Sequence, residues 1–492
     1  MTTTRLRREV TLAGLAVSHP DELMIGGRWV PSIDGATMAV ISPSDGMVVA
    51  DVVAPGVEDA DAALDAAVTA FGGAWPSMLV SERVAYCRRF CQLLEQRSDE
   101  MGLIWAMEAG VPVKWSRTLH RYAAVTAWRT VLDAAEDALA ATVRDTPVGR
   151  VRIERQPVGP TVAVMPYNGP LPTIGSKVIP ALVAGSTVVV KAAPETALMM
   201  RIVAQCAVDA GLPPGVLSFL AGDVDVSRRL VNDPRVEMIS FTGGGRAASE
   251  ILRQTSEHLV RTVFELGGKS PGIVLDDADL DRVLRPLVAG AMSGTGQVCA
   301  TLSRILVSDR RYDEVVEKMS AAYGALRIGD PLSSDTEHGP LVNETARTRT
   351  ATMVDQAVRV GASIVCGGKP PEELVTGWYY EPTLLVDAAE DSDIVRREVF
   401  GPVTVVQRYT DLEDAIRLAN DTDYGLAASV FTTDENEGLR VASRIRAGSV
   451  ALNTFGPTTA APFGGVKKSG WGRECGPEGI QEFSETKQIL LG

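Results

Sequence analysis

Histidine is scarce in this chain: only His19, His120, His258 and His338 occur in 492 residues, and none stands in a metal-ligand spacing. A zinc site needs three or four such groups converging on one point, so no metal is expected. The six cysteines, Cys87, Cys91, Cys206, Cys299, Cys366 and Cys475, form no CxxC pair, which removes the usual redox dithiol. Cys87 and Cys91 read as small core residues of one helix. Cations are also short, with 48 Lys and Arg against 62 Asp and Glu and a formal charge of −14. Neutralising phosphates takes clustered Lys and Arg, so neither a nucleic acid nor an anionic membrane is an expected partner. No stretch approaches the ~20 apolar residues of a spanning helix. The apolar run at 12–17 is broken by glycine and too short for a signal-peptide core. A cytoplasmic protein is expected. Low-complexity segments and solenoid repeats are absent too.

What is present is an ordinary globular composition, 45% apolar and 22% charged, with chain enough for two or three domains. Residues 57–141 read as helical, with alanine-rich stretches such as "DADAALDAAVTAF". "GRVRIERQPVG" alternates polar and apolar residues, as a half-exposed ribbon does. From Thr161 short apolar strands ("TVAVMPY", "STVVVKAA", "VEMISFTGGG", "RTVFELGG") alternate with helices. That rhythm predicts a parallel sheet with crossover connections. Such sheets bind ligands beyond the carboxyl ends of their strands. Asn168, Lys191, Gly243 to Gly245 and Glu265 all fall at those ends. A second α/β unit starts near Gly267, and "ETKQILLG" is a last strand that must pair with the ribbon or with another subunit.

Each motif has a plain reading beside a functional one. Gly243-x-Gly245-x-x-Ala248 between strand and helix fits a dinucleotide fingerprint, with Glu265 about where a ribose-binding acid belongs. Gly-rich strand-to-helix turns are nevertheless common. "LGGKS" imitates a Walker A ending but has Val263 where the upstream glycine is required. Lys191 and Glu195 form a surface ion pair, or else a cation and acceptor for an anionic, hydroxyl-bearing ligand. Asn168, between two prolines, serves the backbone turn or offers an amide to an oxyanion. Cys299 in "GTGQVCATLSR" is a core residue or a nucleophile. A Cys–His hydrolase lacks a suitably placed histidine, so the thiol would need another activator.

"MPYNGPL", "VVKAAPE", "FTGG", "FELGGKSP", "GQVC", "EVFGPV" and "PFGGVKKSGWGRE" occur in the order and spacing of one family. With "MIGGRWV" near the start, the chain resembles the NAD(P)-dependent aldehyde dehydrogenase superfamily from about Met24 to its end. The resemblance implies an α/β fold of two Rossmann-like domains plus a small β oligomerisation ribbon. The expected boundaries are 1–134 and 155–264 for the cofactor domain, 265–468 for the catalytic domain, and 135–154 with 469–492 for the ribbon. A homodimer or homotetramer follows from the family.

The family's roles then fall on residues of this chain. Cys299 resembles the nucleophile that adds to the aldehyde carbon, and Asn168 with the Cys299 backbone N–H the oxyanion site. Glu265 resembles the base that hydrolyses the thioester, and Lys177 and Glu474 match proton-relay positions. Lys191 and Glu195 resemble adenosine-ribose ligands, Gly243 and Gly244 line the pyrophosphate path, and Glu398 with Phe400 meets the nicotinamide ribose. This overturns the fingerprint reading of Glu265 as a ribose ligand. Glu195 favours NAD, with NADP possible. Tyr167 replaces the usual tryptophan, and Gly244 the usual serine. The implied activity is oxidation of an aldehyde to the acid; the alternatives are a CoA-acylating semialdehyde dehydrogenase and a non-catalytic binding or structural relative. Tyr167, Thr173, Ser176, Val298, Ala300, Phe455 and the rest of 455–461 are expected to wall the substrate pocket. The small Thr173 and Ser176 suggest a roomy entrance for a bulky or medium-length aldehyde. No Arg or Lys in these segments greets a carboxylate, which disfavours succinic semialdehyde.

Overall fold

The computed structural model describes residues 9–12, 15–456 and 458–491. Pro457, within the expected pocket segment, lies outside them. Two large sheets and one ribbon organise the chain. The first sheet has eight strands, with Arg261–Glu265, Met238–Thr242, Thr161–Val164, Val188–Ala192 and Leu217–Ala221 adjacent in that order and parallel. These strands are buried almost throughout, as continuous apolar runs require in a sheet covered on both faces. Chain order runs outward in both directions from Thr161–Val164. The crevice between it and Met238–Thr242 is therefore a topological switch point. Antiparallel strands close the edges: the hairpin Glu22–Ile25 and Arg28–Pro31 on one side, the short Gly470–Trp471 on the other.

The alanine-rich stretch forms the helices that cover this sheet. In Val57–Phe71 the residues Ala60, Ala63, Leu64 and Ala67 are fully buried, the i, i+3, i+4, i+7 stripe of a helix facing a core. Helix Ser98–Ala109 carries Trp105, whose indole N–H donates to the Tyr167 carbonyl over 2.8 Å. That bond fixes the chain where it leaves strand Thr161–Val164.

The second sheet has seven strands, all parallel except the Ser363–Cys366 edge, with Ser270–Val274 and Leu302–Ser308 at its centre. The ribbon is Thr142–Thr146, Gly149–Pro157 and Ser484–Leu491, and the last pairs in full register with the second. The terminal strand thus finds its partner inside its own chain. The ribbon strands do not follow the expected bounds of 135–154 and 469–492, since Gly149–Pro157 runs past 154. Helix Val125–Leu139 runs through 135–139, and Gly470–Trp471 belongs to the first sheet.

Between helix Leu280–Met292 and strand Leu302–Ser308 the chain makes an abrupt turn: Gly294, Thr295 and Gly296 all have positive φ, of 56°, 59° and 70°. A β-branched residue there is strained, and Thr295 is held by Gly339, whose N–H donates to the Thr295 hydroxyl over 3.2 Å. At Gly296 even a methyl group is excluded, since a Cβ would sit 2.2 Å from the Gly401 carbonyl oxygen. Gly296→Ala is expected to lose more than the ~1–3 kcal/mol of a left-handed non-glycine residue, read as a lowered denaturation midpoint. An unchanged midpoint contradicts the required turn.

Candidate active site

The strand ends of the first sheet face the Gly294–Gly296 turn across a cavity of about 670 Å³. Asn168, Gly243 and Gly244 come to it from the switch-point strands, Glu265 from the neighbouring strand Arg261–Glu265, and Val298, Cys299, Glu398 and Phe400 from the second domain. Gln297 joins the two sides. Its carbonyl accepts the Asn168 Nδ2–H at 2.8 Å, and its side-chain oxygen accepts from the Tyr167 hydroxyl at 3.1 Å and from the Val342 N–H at 3.0 Å. An amide nitrogen has two protons, so Asn168 keeps one donor beside Cys299.

Glu265 ends strand Arg261–Glu265 and is 3% exposed. Neither of its carboxylate oxygens has a hydrogen-bond partner among the described residues. Burial, reinforced by neighbouring Glu474, holds its carboxyl well above the usual carboxylate range, against the pull of Lys177 and Arg473. Glu474 lines the same cavity and accepts from the buried Lys177 ammonium at 2.5 Å, which also donates to the Ser240 hydroxyl at 3.0 Å. Cys299 is partly open to the cavity. The protein around it, then Glu265 and Glu398, push its thiol up to about 12, with the Ala300 N–H opposing.

At the other end of the cavity the Gly268 N–H donates to Glu398 over 3.0 Å, and burial lifts that carboxyl to about 7. Phe400 has a positive φ of 53° and meets the Tyr167 ring edge-on, 6.2 Å between centroids. Arg349, from helix Glu344–Arg359, donates to the Val399 and Phe400 carbonyls, pinning this loop. Lys191 is buried at the end of its strand and pushed down to about 8 by burial. Glu195 accepts from Asn343 across the cleft at 3.2 Å. Lys191 and Glu195 stand beside the cavity rather than in its wall. A Cβ on Gly243 would meet the Phe241 ring at 2.5 Å, whereas one on Gly244 meets open space. Backbone can therefore approach a ligand closely at the first glycine, and the second could be serine.

Of the expected pocket wall, Tyr167, Thr173 and Val298 line the cavity. Ser176 does not: it lies buried in the π-helical turn Ile174–Val178. Ala300 and Phe455 line a separate cavity of about 370 Å³ on the far side of the Cys299 loop. Trp115, Leu119, Asn343 and Arg349 also line the main cavity, and no motif marks them; Phe463 lines it too and does lie inside "PFGGVKKSGWGRE". The Gln297 hub likewise lies inside "GQVC". No group of three or more His, Cys, Asp and Glu that could hold a metal occurs among the described residues.

A partly open thiol, a buried carboxyl without a hydrogen-bond partner and an amide with a spare donor face one cavity beside a switch point of a parallel sheet, the place where such sheets take their ligands. A profile of the aldehyde dehydrogenase family matches residues 29–489. The geranial dehydrogenase of Castellaniella defragrans is 34% identical over 97% of this chain and all of its own length. The mitochondrial succinate-semialdehyde dehydrogenase of Arabidopsis thaliana is 36% identical, covering 95% of this chain and 89% of its own. An aldehyde dehydrogenase of Mycobacterium tuberculosis, solved with NAD+, superimposes with a TM-score of 0.94 at 36% identity, over 96% of this chain and 98% of the other. The chain belongs to the aldehyde dehydrogenase family and is an NAD(P)-dependent oxidoreductase acting on aldehydes.

In the cofactor-free protein the raised thiol pKa makes labelling slow. Iodoacetamide modification of Cys299, followed by mass spectrometry, should accelerate about tenfold per pH unit between pH 7 and 10. Glu265→Gln removes a negative neighbour and should speed labelling once Glu265 would be ionised. A rate flat in pH contradicts a buried, neutral thiol.

Proposed function

We propose that the chain oxidises its aldehyde with water as the final acceptor, using Cys299 as nucleophile and Glu265 as base. The observation that carries this is the unpaired, buried Glu265 carboxyl sharing a cavity with the Cys299 thiol. Addition of Sγ, as the thiolate, to the carbonyl carbon makes a thiohemiacetal whose oxyanion accepts hydrogen bonds from the second Asn168 Nδ2–H and the Cys299 backbone N–H. When bound, the nicotinamide cofactor supplies the hydride acceptor. The thioester left on Cys299 is then opened by water that has given a proton to Glu265, and the pair Lys177 and Glu474 passes that proton inward. A carboxyl held above its usual range is a competent base near neutral pH. That favours hydrolysis over transfer to CoA, and the intact set of groups disfavours a non-catalytic relative.

The residues that would hold the cofactor fit it. Gly243 permits close backbone approach, Glu398 is held ready by Gly268, and the Glu195 carboxylate accepts hydroxyl donors while repelling a 2′-phosphate. NAD is therefore preferred over NADP. The domains we assign are 1–134 with 155–264 for cofactor, 265–468 for catalysis, and the ribbon for assembly. The ribbon presents Val143, Val148 and Leu490, each at least half exposed, and the outer strand Ser449–Leu452 of the second sheet has one unpaired edge. Exposed apolar side chains and an open edge both ask for cover, which supports a homodimer or homotetramer. Every cysteine is free, and no helix among the described residues is long and apolar enough to cross a membrane. Free thiols suit a reducing compartment, so we assign the protein to the cytoplasm.

An aldehyde panel with NAD and NADP, read as absorbance of the reduced cofactor, tests the assignment; no reduction with any aldehyde refutes it. Asn168→Ala should lower kcat by ~10²–10³. Glu265→Gln should leave the NAD KM near its original value while kcat collapses, and the remaining turnover should no longer rise with pH above the carboxylate range. A raised NAD KM with normal kcat would instead make Glu265 a cofactor ligand. Gly244→Ser, at the N-cap of helix Gly245–Thr255, should be tolerated in folding and lower the NAD Kd by adding a donor.

A further inference from the structure

The half of the cavity beyond Cys299 is built from Trp115, Leu119, Tyr167, Thr173, Val298 and Phe463. Trp115 packs against Trp105, 5.7 Å between ring centroids. The segment Leu119–Ala124 is tied to the 458–461 loop by the Thr459 hydroxyl, which donates to the Ala123 carbonyl over 2.9 Å. This wall is therefore held by both domains. Its two hydroxyls are already committed. Thr173 donates to the Pro170 carbonyl at 2.8 Å and Tyr167 to the Gln297 side chain, so they offer a methyl group and a ring to the cavity. The charged side chains of the whole cavity are Glu265, Glu398, Glu474 and Arg349. Three are acids, and the guanidinium is spent on the Val399 and Phe400 carbonyls at the opposite end.

Resting on the assignment of the cavity as an aldehyde dehydrogenase site, we propose that its substrate is an uncharged aldehyde with an apolar alkyl or aromatic tail. An aldehyde bearing a distal carboxylate is excluded. Such a carboxylate would leave water for a wall with no cation and no uncommitted hydroxyl among its described residues. A buried charge without a partner is strongly disfavoured. An alkyl tail meets indole, phenyl and branched aliphatic surface, and each methylene it buries raises kcat/KM by up to about fourfold. Thr173 lines this wall, as its small side chain led one to expect. The wall takes its character from Trp115, Leu119 and Phe463, and Ser176 has no part in it.

The test compares hexanal, benzaldehyde and succinic semialdehyde with NAD at fixed salt, with NAD Kd and melting temperature as controls. The kcat/KM for hexanal and for benzaldehyde should exceed that for succinic semialdehyde by at least about 100-fold. Leu119→Arg, which supplies the missing cation from the wall, should shrink that ratio at least tenfold while NAD Kd stays unchanged. Turnover with succinic semialdehyde equal to or better than hexanal overturns the substrate class and leaves the activity standing. Reduction of NAD by none of the three, nor by any wider panel, refutes the activity itself.

Discussion

The site depends on one buried side chain that does no chemistry. Gln297 accepts from Asn168 and Tyr167 on the first domain and from Val342 on the second. Because its backbone carbonyl is two residues from Cys299, those bonds set the height of the thiol above the strand ends. The left-handed turn at Gly294–Gly296 is what brings that carbonyl round, and Thr295 and Gly401 pay for it in strain and crowding. Any slackening on either side of the cleft would move the thiol relative to the amide.

Electrostatically the centre is short of positive charge. Glu265, Glu398 and Glu474 meet in one cavity, and the Lys177 ammonium beside them is wholly buried and committed to Glu474 and Ser240. Burial raises both the Cys299 thiol and the Glu265 carboxyl above their ordinary ranges, which favours the uncharged form of each. A cationic ring entering from the Glu398 side would relieve that repulsion and favour the thiolate. Nucleophile and oxidant would then become ready together.

Much of this was legible in the sequence, and for physical reasons. Asn168, Gly243 and Glu265 follow buried strands whose apolar runs are hard to mistake, and strand ends in such sheets converge. Cys299 was legible only in company, since nothing around a lone thiol distinguishes it. Ser176 misled because Ile174–Val178 is a π turn. Its wider winding rotates Ser176 away from the face that Thr173 presents. Ala300 misled because the chain reverses after Cys299, with the Thr301 hydroxyl bonded back to the Val298 carbonyl. Trp115, Leu119 and Arg349 sit on helices whose sequences carry no motif. Only the packing of distant segments brings them to the cavity.

The pairing of Ser484–Leu491 with Gly149–Pro157, and of Gly470–Trp471 with Arg261–Glu265, has a consequence in time. The first sheet and the ribbon are each closed by a strand synthesised long after its partner, and Glu474 lies between those two late strands. Until those strands arrive, the nascent chain carries an open edge on its first sheet and a cavity without Glu474. Closure of such distant pairs is slow, and exposed edges invite misassembly while they wait. Closing the cleft is therefore a long-range event, complete only when segments far apart in the chain have met.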